Sequence, residues 1–266
     1  GHVRIYSWNS ATSSWEQLGA DIDGESADDE SGYSVSLSSD GTTVAIGAPY
    51  HDGENGIDRG HVRIYSWDTM GGWTQLGDDI DGESAYDSSG YSVSLSSDGT
   101  SVAIGAPYNE GGDNDSPYSG HVRIYSWNSA TSAWEQRGED IDGGLAYDYS
   151  GHSVSLSSDG TTVAIGAPFH DGDNDSFTSG HVRIYSWNSA TSAWEQLGDD
   201  IDGESADDHS GWSVSLSSDG STVAIGAPYH DGDNDSPSSG HVRIYSWNSA
   251  TGGWEQLGAD IDGESA

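Results

Sequence analysis

Apolar and small polar residues alternate in short segments of the chain. In the segment 34–38, Val35 and Leu37 alternate with serines, a period of two that places both on one face of a strand. We expect that face to lie in the packed interior. Asp40–Gly41 follows as a tight-turn signal, and the apolar segment 44–47 is expected to return as the antiparallel partner. The pattern predicts a β-hairpin. The same turn signal recurs at Asp98, Asp159 and Asp219.

A second hairpin is predicted at the start of the chain. Residues 2–8 form its first strand, residues 9–14 its loop and residues 15–19 its second strand. Pairing Trp8 with Trp15 places two aromatic rings opposite each other, a contact that contributes about 0.2–1 kcal/mol. Equivalent pairs are expected at Trp67/Trp73, Trp127/Trp134, Trp187/Trp194 and Trp247/Trp254.

These hairpins belong to a repeat of 59 or 60 residues. The motif GHVRIYSW begins at Gly1, Gly60, Gly120, Gly180 and Gly240. A period of this size is typical of stacked supersecondary units that depend on their neighbours. No segment has a helical period. The sequence therefore predicts an all-β protein of repeated four-stranded antiparallel blades, arranged as a β-propeller or as a propeller-like open array.

The predicted units divide the chain into one continuous repeat array. An outer half-blade takes residues 1–29, and four blades take residues 30–82, 90–143, 150–203 and 210–263. Residues 1–27 nearly duplicate residues 240–266. We therefore expect the sequence to be a window of a longer chain.

The charge of the chain limits its partners. Asp and Glu total 45 against seven basic residues, all Arg, for a formal net charge of −38, and there is no Cys. Such a charge disfavours nucleic acid and anionic membranes as partners, and direct membrane insertion is not expected. It favours a setting that screens or neutralises carboxylates, such as high salt or bound divalent cations.

Three blocks of the repeat together resemble a known family. The segments 31–35, 44–49 and 60–65 give an aromatic-led strand, a strand that ends in Gly-Ala-Pro, and a Gly-x-Val-x-x-Tyr strand, in that order. This order resembles the FG-GAP repeat of integrin alpha-chain β-propellers, over essentially the whole chain. The family's calcium loop between the first two strands is missing, because that position holds only a short Ser-Ser-Asp-Gly turn. The family's calcium site is therefore not expected there.

A different set of acidic loops is the first candidate site. Carboxylates at spacings i, i+2 and i+4 let a tight loop direct several oxygens at a hard cation such as Ca²⁺. The candidate ligands are Asp171, Asp173, Asp175, Asp231, Asp233, Asp235, Asp113, Asp115, Asp52 and Glu54. The alternative is a solvated acidic loop. The same loops carry N-glycosylation sequons at Asn114, Asn174 and Asn234.

Other residues suggest weaker candidates. His51, His170 and His230 precede the acidic loops, so a transition-metal site of His and Asp is conceivable, although each loop has one His. Exposed aromatic and acidic residues can also bind sugars. Four residues or segments deviate once from the repeat without an evident cluster: Arg137, 144–145, Arg59 and Trp212.

The repetition decides the functional expectation. A catalytic site is normally unique, whereas each candidate here is copied along the chain. The sequence therefore predicts a non-catalytic extracellular or cell-surface protein with a structural or adhesive role. We expect it to be stabilised by calcium and to assemble end to end into filaments. Its partners would be other copies of itself, or surface proteins and glycans. The alternative is a propeller module that binds carbohydrate or protein through rim loops, and a hydrolase is a third reading.

Overall fold

The structure is a computed structural model that describes residues 1–53, 57–110, 116–172, 177–231 and 238–263. These residues form strands, turns and loops. None of the described segments is a helix long and apolar enough to cross a membrane. The prediction of an all-β protein is confirmed.

The N-terminal segment forms two separate strand pairs. Its strands are β1 His2–Val3, β2 Tyr6–Asn9, β3 Ser14–Gln17 and β4 Ile22–Asp23. β1 pairs with β4 and β2 pairs with β3, both antiparallel.

Four sheets follow, each built from five strands in the same order. The first sheet has β5 Ser34–Leu37, β6 Thr43–Ala48, β7 His61–Asp68, β8 Gly72–Gln75 and β9 Ile80–Asp81. The second has β10 Ser92–Leu95, β11 Ser101–Ala106, β12 His121–Asn128, β13 Ala133–Gln136 and β14 Ile141–Asp142. The third has β15 Ser153–Leu156, β16 Thr162–Ala167, β17 His181–Asn188, β18 Ala193–Gln196 and β19 Ile201–Asp202. The fourth has β20 Ser213–Leu216, β21 Thr222–Ala227, β22 His241–Asn248, β23 Gly253–Gln256 and β24 Ile261–Asp262.

Each sheet is an antiparallel blade with the layout of four strands. The place of the outermost strand is taken by two short strands, which both pair with the third strand. In the first sheet the order is β5-β6-β7-β8, and β9 pairs with the beginning of β7. The predicted tryptophan register is present, because Trp67 lies opposite Trp73, and Trp8 opposite Trp15. The sheets are thus open, propeller-like blades, as the repeat pattern predicted.

The core lies between neighbouring sheets. Val122 and Ile124 of the second sheet pack in one cluster with Val163 and Ile165 of the third. Burying apolar area at such contacts contributes about 25 cal/mol per Å². Polar contacts also cross the gap, for example the indole N–H of Trp194, which donates to the carbonyl oxygen of Arg137 at 2.7 Å. A single unit could not bury both faces, and this explains why the repeat is stacked.

The first sheet departs from the expected burial. Val35 and Leu37 were predicted to be interior, yet they are 55% and 48% exposed, whereas the equivalent Leu95 is 7% exposed. The cause is the position of the sheet. β10 packs on β5, but within the described residues no first strand of an earlier sheet packs on the other side of β5.

The first strands β5, β10, β15 and β20 lie beside one another along the array. We call the edge at which these strands begin, and at which the second strands end, the loop rim. The third strands also begin there, because the first residue of each pairs with the last residue of the second strand, as His61 pairs with Ala48. The loop rim therefore brings three chain segments of every repeat together.

Candidate functional site

An aromatic pocket lies on the loop rim between the second, third and fourth sheets. Its lining comes from the residues before the first strands and after the second strands. The cavity is about 280 Å³, close to the lower end of the 300–1,000 Å³ typical of ligand pockets. Its lining residues are Tyr91, Pro107, Tyr108, Tyr149, His152, Phe169 and Trp212. We call this set the rim pocket.

The rings of the rim pocket contact one another across the blades. The His152 ring lies 4.7 Å from the Trp212 ring and 5.2 Å from the Tyr91 ring, measured between centroids. The Tyr91 hydroxyl is 3.5 Å from Nε2 of His152. Tyr149 packs edge-on against Phe169 at 5.0 Å. The pocket therefore combines flat apolar surfaces with an imidazole and phenol groups, a set that can stack on a sugar ring and exchange a proton.

The repeats differ in sequence at this pocket. The residue before the first strand is Tyr33, Tyr91, His152 or Trp212 in the four successive repeats. A left-handed turn residue, with φ near 54°, comes three positions earlier. It is Glu30, Ser88, Tyr149 or His209. The strands of the copies are nearly identical, so the rim pocket is one of the places where the repeats diverge.

Sequence reasoning noted Trp212 alone and did not find this cluster. The four positions before the first strands are about 60 residues apart, and only stacking of the sheets brings them together. The sequence does carry a signal, namely that the residue before the first strand differs from repeat to repeat. This variation indicates a site only when the four repeats are aligned and compared.

Burial sets the protonation of the pocket. It lowers the pKa of His152 to about 4, so the imidazole is neutral at neutral pH, and it is a weaker base there than an exposed imidazole. Burial also raises the pKa of the Tyr91 hydroxyl, which therefore remains a hydrogen-bond donor. A neutral base beside a protonated donor is an arrangement that acyl-transfer chemistry can use.

A larger cavity of about 390 Å³ lies on the free face of the fourth sheet. It borders Gly226, whose counterparts Gly47 and Gly105 each contact the next repeat, at Gly90 and Gly151. This cavity is therefore a blade-packing surface, and we do not treat it as a site.

The loop rim also holds clusters of histidine and carboxylate. His51, after the second strand, stacks on His61 at the start of the third strand, with ring centroids 4.0 Å apart. The same pairs occur as His170 with His181 and His230 with His241. Sequence analysis placed His51, His170 and His230 alone in their loops. The structure adds the second histidine, from the GHV motif.

A buried aspartate fixes the first histidine of each pair. His51 Nδ1 lies 3.1 Å from Asp29, His170 Nδ1 3.0 Å from Asp148, and His230 Nδ1 3.1 Å from Asp208. The second histidine is almost fully buried, and burial lowers the pKa of His61 to about 4 and that of His181 to about 3. These imidazoles are neutral at neutral pH.

Most of the predicted calcium ligands lie outside the described residues. These are Asp173, Asp175, Asp233, Asp235, Asp113, Asp115 and Glu54, and the sequon residues Asn114, Asn174 and Asn234 lie outside as well. The described members close their loops. Asp52 accepts a backbone N–H from Asp58, Asp171 from Thr178, and Asp231 from Ser238, at 2.8–3.0 Å. Calcium binding by these loops stays a prediction.

The short turn between the first two strands does not fit a calcium ion. Asp40 Oδ1 accepts hydrogen bonds from the Ser38 hydroxyl at 2.8 Å and from the Thr42 amide at 2.9 Å. Its carboxylate is therefore engaged within the turn.

Comparison with known proteins confirms the family resemblance. The model of the FG-GAP repeat matches residues 21–65 and 201–245, so the chain carries FG-GAP repeats. No curated protein matches the chain in sequence.

Several solved structures share the fold. A candidate 6-phosphogluconolactonase from Bacteroides uniformis is 12% identical with a TM-score of 0.65, and the match covers 99% of this chain and 66% of that one. The periplasmic gluconolactonase of Pseudomonas aeruginosa is 17% identical with a TM-score of 0.59, covering 97% and 63%. A protein from Lactobacillus plantarum is 12% identical with a TM-score of 0.60, covering 99% and 66%. The chain thus spans about two thirds of their length, and the likeness is one of fold.

These comparisons contradict the predicted non-catalytic structural or adhesive role. The matched structures include a gluconolactonase and candidate 6-phosphogluconolactonases, so this fold is not a reason to exclude an enzyme. The prediction was wrong because it rested on repetition, namely on every candidate group being copied. At the rim pocket the copies diverge, and the blades bring the divergent side chains into one place.

Proposed function

We propose that this protein is a hydrolase of a sugar-derived lactone, with the substrate held in the rim pocket. The observation that supports this proposal is that the repeats differ where three blades contribute aromatic and imidazole groups to one cavity. The names of the fold relatives suggest the cyclic ester of a sugar acid as the substrate class. Flat aromatic rings suit the apolar face of such a ring.

The proposed reaction needs one base and one donor. The His152 imidazole takes a proton from water as the water oxygen bonds to the lactone carbonyl carbon. The bond between that carbon and the ring oxygen then breaks, and the proton passes to the departing oxygen to give the open hydroxy acid. The Tyr91 hydroxyl, 3.5 Å from the imidazole, is placed to donate to the carbonyl oxygen as negative charge develops there.

The charge of the chain favours an unphosphorylated lactone. None of the residues that line the rim pocket is Arg or Lys, the side chains that usually bind phosphate. The formal net charge of −38 would also repel a phosphorylated substrate. We therefore expect gluconolactone to be hydrolysed faster than its 6-phosphate ester.

The chain offers a matched variant to test this proposal. His152→Tyr introduces the residue that two other repeats carry at the same position, Tyr33 and Tyr91, so the fold is expected to survive. Loss of the base should lower kcat by about 10²–10⁴-fold with little change in KM. Trp212→Tyr, which keeps an aromatic ring, should mainly raise KM. The measurement is release of acid from gluconolactone, followed by pH-stat and corrected for spontaneous hydrolysis.

Two outcomes would refute the lactonase proposal. The first is a wild-type rate no greater than spontaneous hydrolysis. The second is a His152→Tyr rate equal to that of the wild type, which would place any activity elsewhere.

The remaining expectations are proposals as well. Calcium binding by the acidic loops is supported by their carboxylate spacing and by the large negative charge. An extracellular or cell-surface location remains a prediction.

A further inference from the structure

We propose that the loop rim carries transition-metal sites, each formed by a histidine pair and a carboxylate. The candidate ligand atoms of each set lie within 4.8 Å of one another. Site 1 is His51, His61 and Glu25, site 3 is His170, His181 and Asp148, and site 4 is His230, His241 and Glu204. An ion such as Zn²⁺ binds imidazole and carboxylate at about 2.0–2.2 Å, which small side-chain rotations would reach.

The first histidine of each site is already oriented as a ligand. In site 1, Asp29 accepts a hydrogen bond from His51 Nδ1 at 3.1 Å and also holds the amide of Ser26 at 2.9 Å. A carboxylate on one ring nitrogen fixes the ring and leaves the other nitrogen free to bind a metal. In site 4, Asp208 accepts the Ser205 amide at 2.9 Å and lies 3.1 Å from His230 Nδ1, an ion-pair distance without hydrogen-bond geometry.

The second histidine supplies an independent indication of a ligand. His181 and His241 are almost fully buried, and neither nitrogen of either ring has a hydrogen-bond partner in the structure. His61 lacks a partner at Nδ1. Buried polar atoms are nearly always paired, because leaving one unpaired costs about 1–3 kcal/mol. A metal ion at the site would bind one nitrogen of each ring. Nδ1 of these rings lies 3.5–3.9 Å from a carboxylate, that of Asp79, Asp200 or Asp260.

The donor set selects the class of ion. Two imidazoles with one carboxylate favour Zn²⁺, Cu²⁺, Co²⁺ or Ni²⁺ over Ca²⁺ and Mg²⁺, which prefer oxygen ligands. These sites are therefore distinct from the acidic calcium loops. They are also distinct from the rim pocket, since none of their ligands lines it.

The sites are not equivalent. In site 3, Gly144 stands where sites 1 and 4 have Glu25 and Glu204, so Asp148 must serve as the carboxylate. Both oxygens of Asp148 are already engaged, by His170 at 3.0 Å and by the Leu145 amide at 2.7 Å. Glu25 and Glu204 each lie 3.6 Å from an arginine, Arg63 and Arg243, but neither also holds the histidine of its site. We therefore expect site 3 to bind more weakly than the other two.

The second repeat is a natural control. Asn109 stands where the other repeats have His51, His170 and His230, and its side chain forms the equivalent hydrogen bond with Asp87. The corresponding cluster there, Glu83, His121 and Asp140, has one imidazole. Asn at this position is thus compatible with the fold and removes one ligand.

The test uses Zn²⁺ titrated calorimetrically into the full chain, with excess Ca²⁺ to occupy the exposed carboxylates. The variant replaces His51, His170 and His230 by Asn together. Wild type should show tight sites that the triple variant lacks, with apparent affinity weakened by about 100-fold or more. Asn109→His should add a site. Bound Cu²⁺ should give an electron paramagnetic resonance signal with nitrogen hyperfine structure in wild type.

Several results would overturn the proposal. Equal numbers of tight Zn²⁺ sites in the wild type and the triple variant would place the metal on other groups. A Cu²⁺ signal without nitrogen coupling would do the same. If the triple variant fails to fold, as judged by circular dichroism, the test rests on Asn109→His. The absence of an additional tight Zn²⁺ site in that variant would then refute the proposal. A lack of lactonase activity would leave these readouts unaffected.

Discussion

The residue before each first strand has the same backbone environment in every sheet but a different side chain. The glycine that precedes it donates its amide to the second strand throughout, as Gly90 does to Gly105 at 3.1 Å and Gly151 to Gly166 at 3.2 Å. Tyr, His and Trp are all accommodated at the next position. Since the backbone does not require a particular side chain there, exchanges between copies test chemistry with little risk to folding.

The Asp-Gly turns make a prediction about pH. Hydrogen bonds from the side chains of Ser217 and Ser221 lower the pKa of Asp219 to about 2, below the value of about 3.9 expected in the unfolded chain. The folded state therefore favours the ionised carboxylate. Its contribution is fully present above about pH 4 and is lost as the pH falls towards 2. Asp219→Asn should lower the melting temperature more at pH 5 than at pH 2.

Differential scanning calorimetry at both pH values checks this expectation. Asp199→Asn, an exposed aspartate outside these turns, controls for the change in net charge. A melting difference for Asp219→Asn that is the same at pH 5 and pH 2 would contradict the assigned role of the turn hydrogen bonds.

Close contact between blades makes a prediction about the second strand. A Cβ atom on Gly105 would overlap the carbonyl oxygen of Gly151 in the next repeat and the hydroxyl of Ser92. Because the first of these is backbone, Gly105→Ala must push neighbouring sheets apart, and overpacking of this kind costs about 1–3 kcal/mol. Urea denaturation should show that loss in the free energy of unfolding.

Gly253→Ala is the matched control for that experiment. An added Cβ there meets no atom within 4 Å, and two other repeats carry Ala133 and Ala193 at the same position. Its stability should equal that of the wild type or exceed it slightly. Equal effects of the two changes would argue against tight backbone contact between the blades.

The elements themselves were predictable because their signals are local. Alternation, Asp-Gly turns and paired tryptophans act within one repeat, and the register Trp127 to Trp134 follows directly from them. The exposure of Val35 and Leu37 was not predictable from the same pattern. Burial of a first strand depends on the neighbouring repeat, and the alternation carries no information about that neighbour.

The candidate sites were less accessible to sequence reasoning. His51 and His61 are ten residues apart and were considered separately, as a loop residue and a strand residue. They meet because the third strand begins beside the end of the second. The rim pocket requires contacts across about 60 residues between Tyr91, His152 and Trp212. Such contacts depend on blade stacking, so no single repeat encodes the pocket.

Across the whole molecule, few cations balance the acidic groups. The formal net charge is −38, and the arginines of the repeat are used structurally. Arg63 donates to the carbonyl oxygen of Asp23 at 2.8 Å, and Arg123 to that of Asp81 at 2.7 Å, each across a blade interface. Most carboxylates must therefore be screened by salt or by bound ions, and the two possibilities can be distinguished.

Calcium should stabilise the chain beyond the effect of ionic strength. An ion that binds only the folded state adds about 2.7 kcal/mol per site at a hundredfold excess over Kd. We therefore expect millimolar Ca²⁺ to raise the melting temperature more than NaCl of equal ionic strength.

Replacing Asp231, Asp233 and Asp235 by Asn, together with Asp171, Asp173 and Asp175, should remove the calcium-specific part. The triple His→Asn variant should keep it, because Ca²⁺ prefers oxygen ligands. If NaCl reproduces the whole shift, the loops are solvated; if the shift survives the aspartate changes, calcium binds elsewhere.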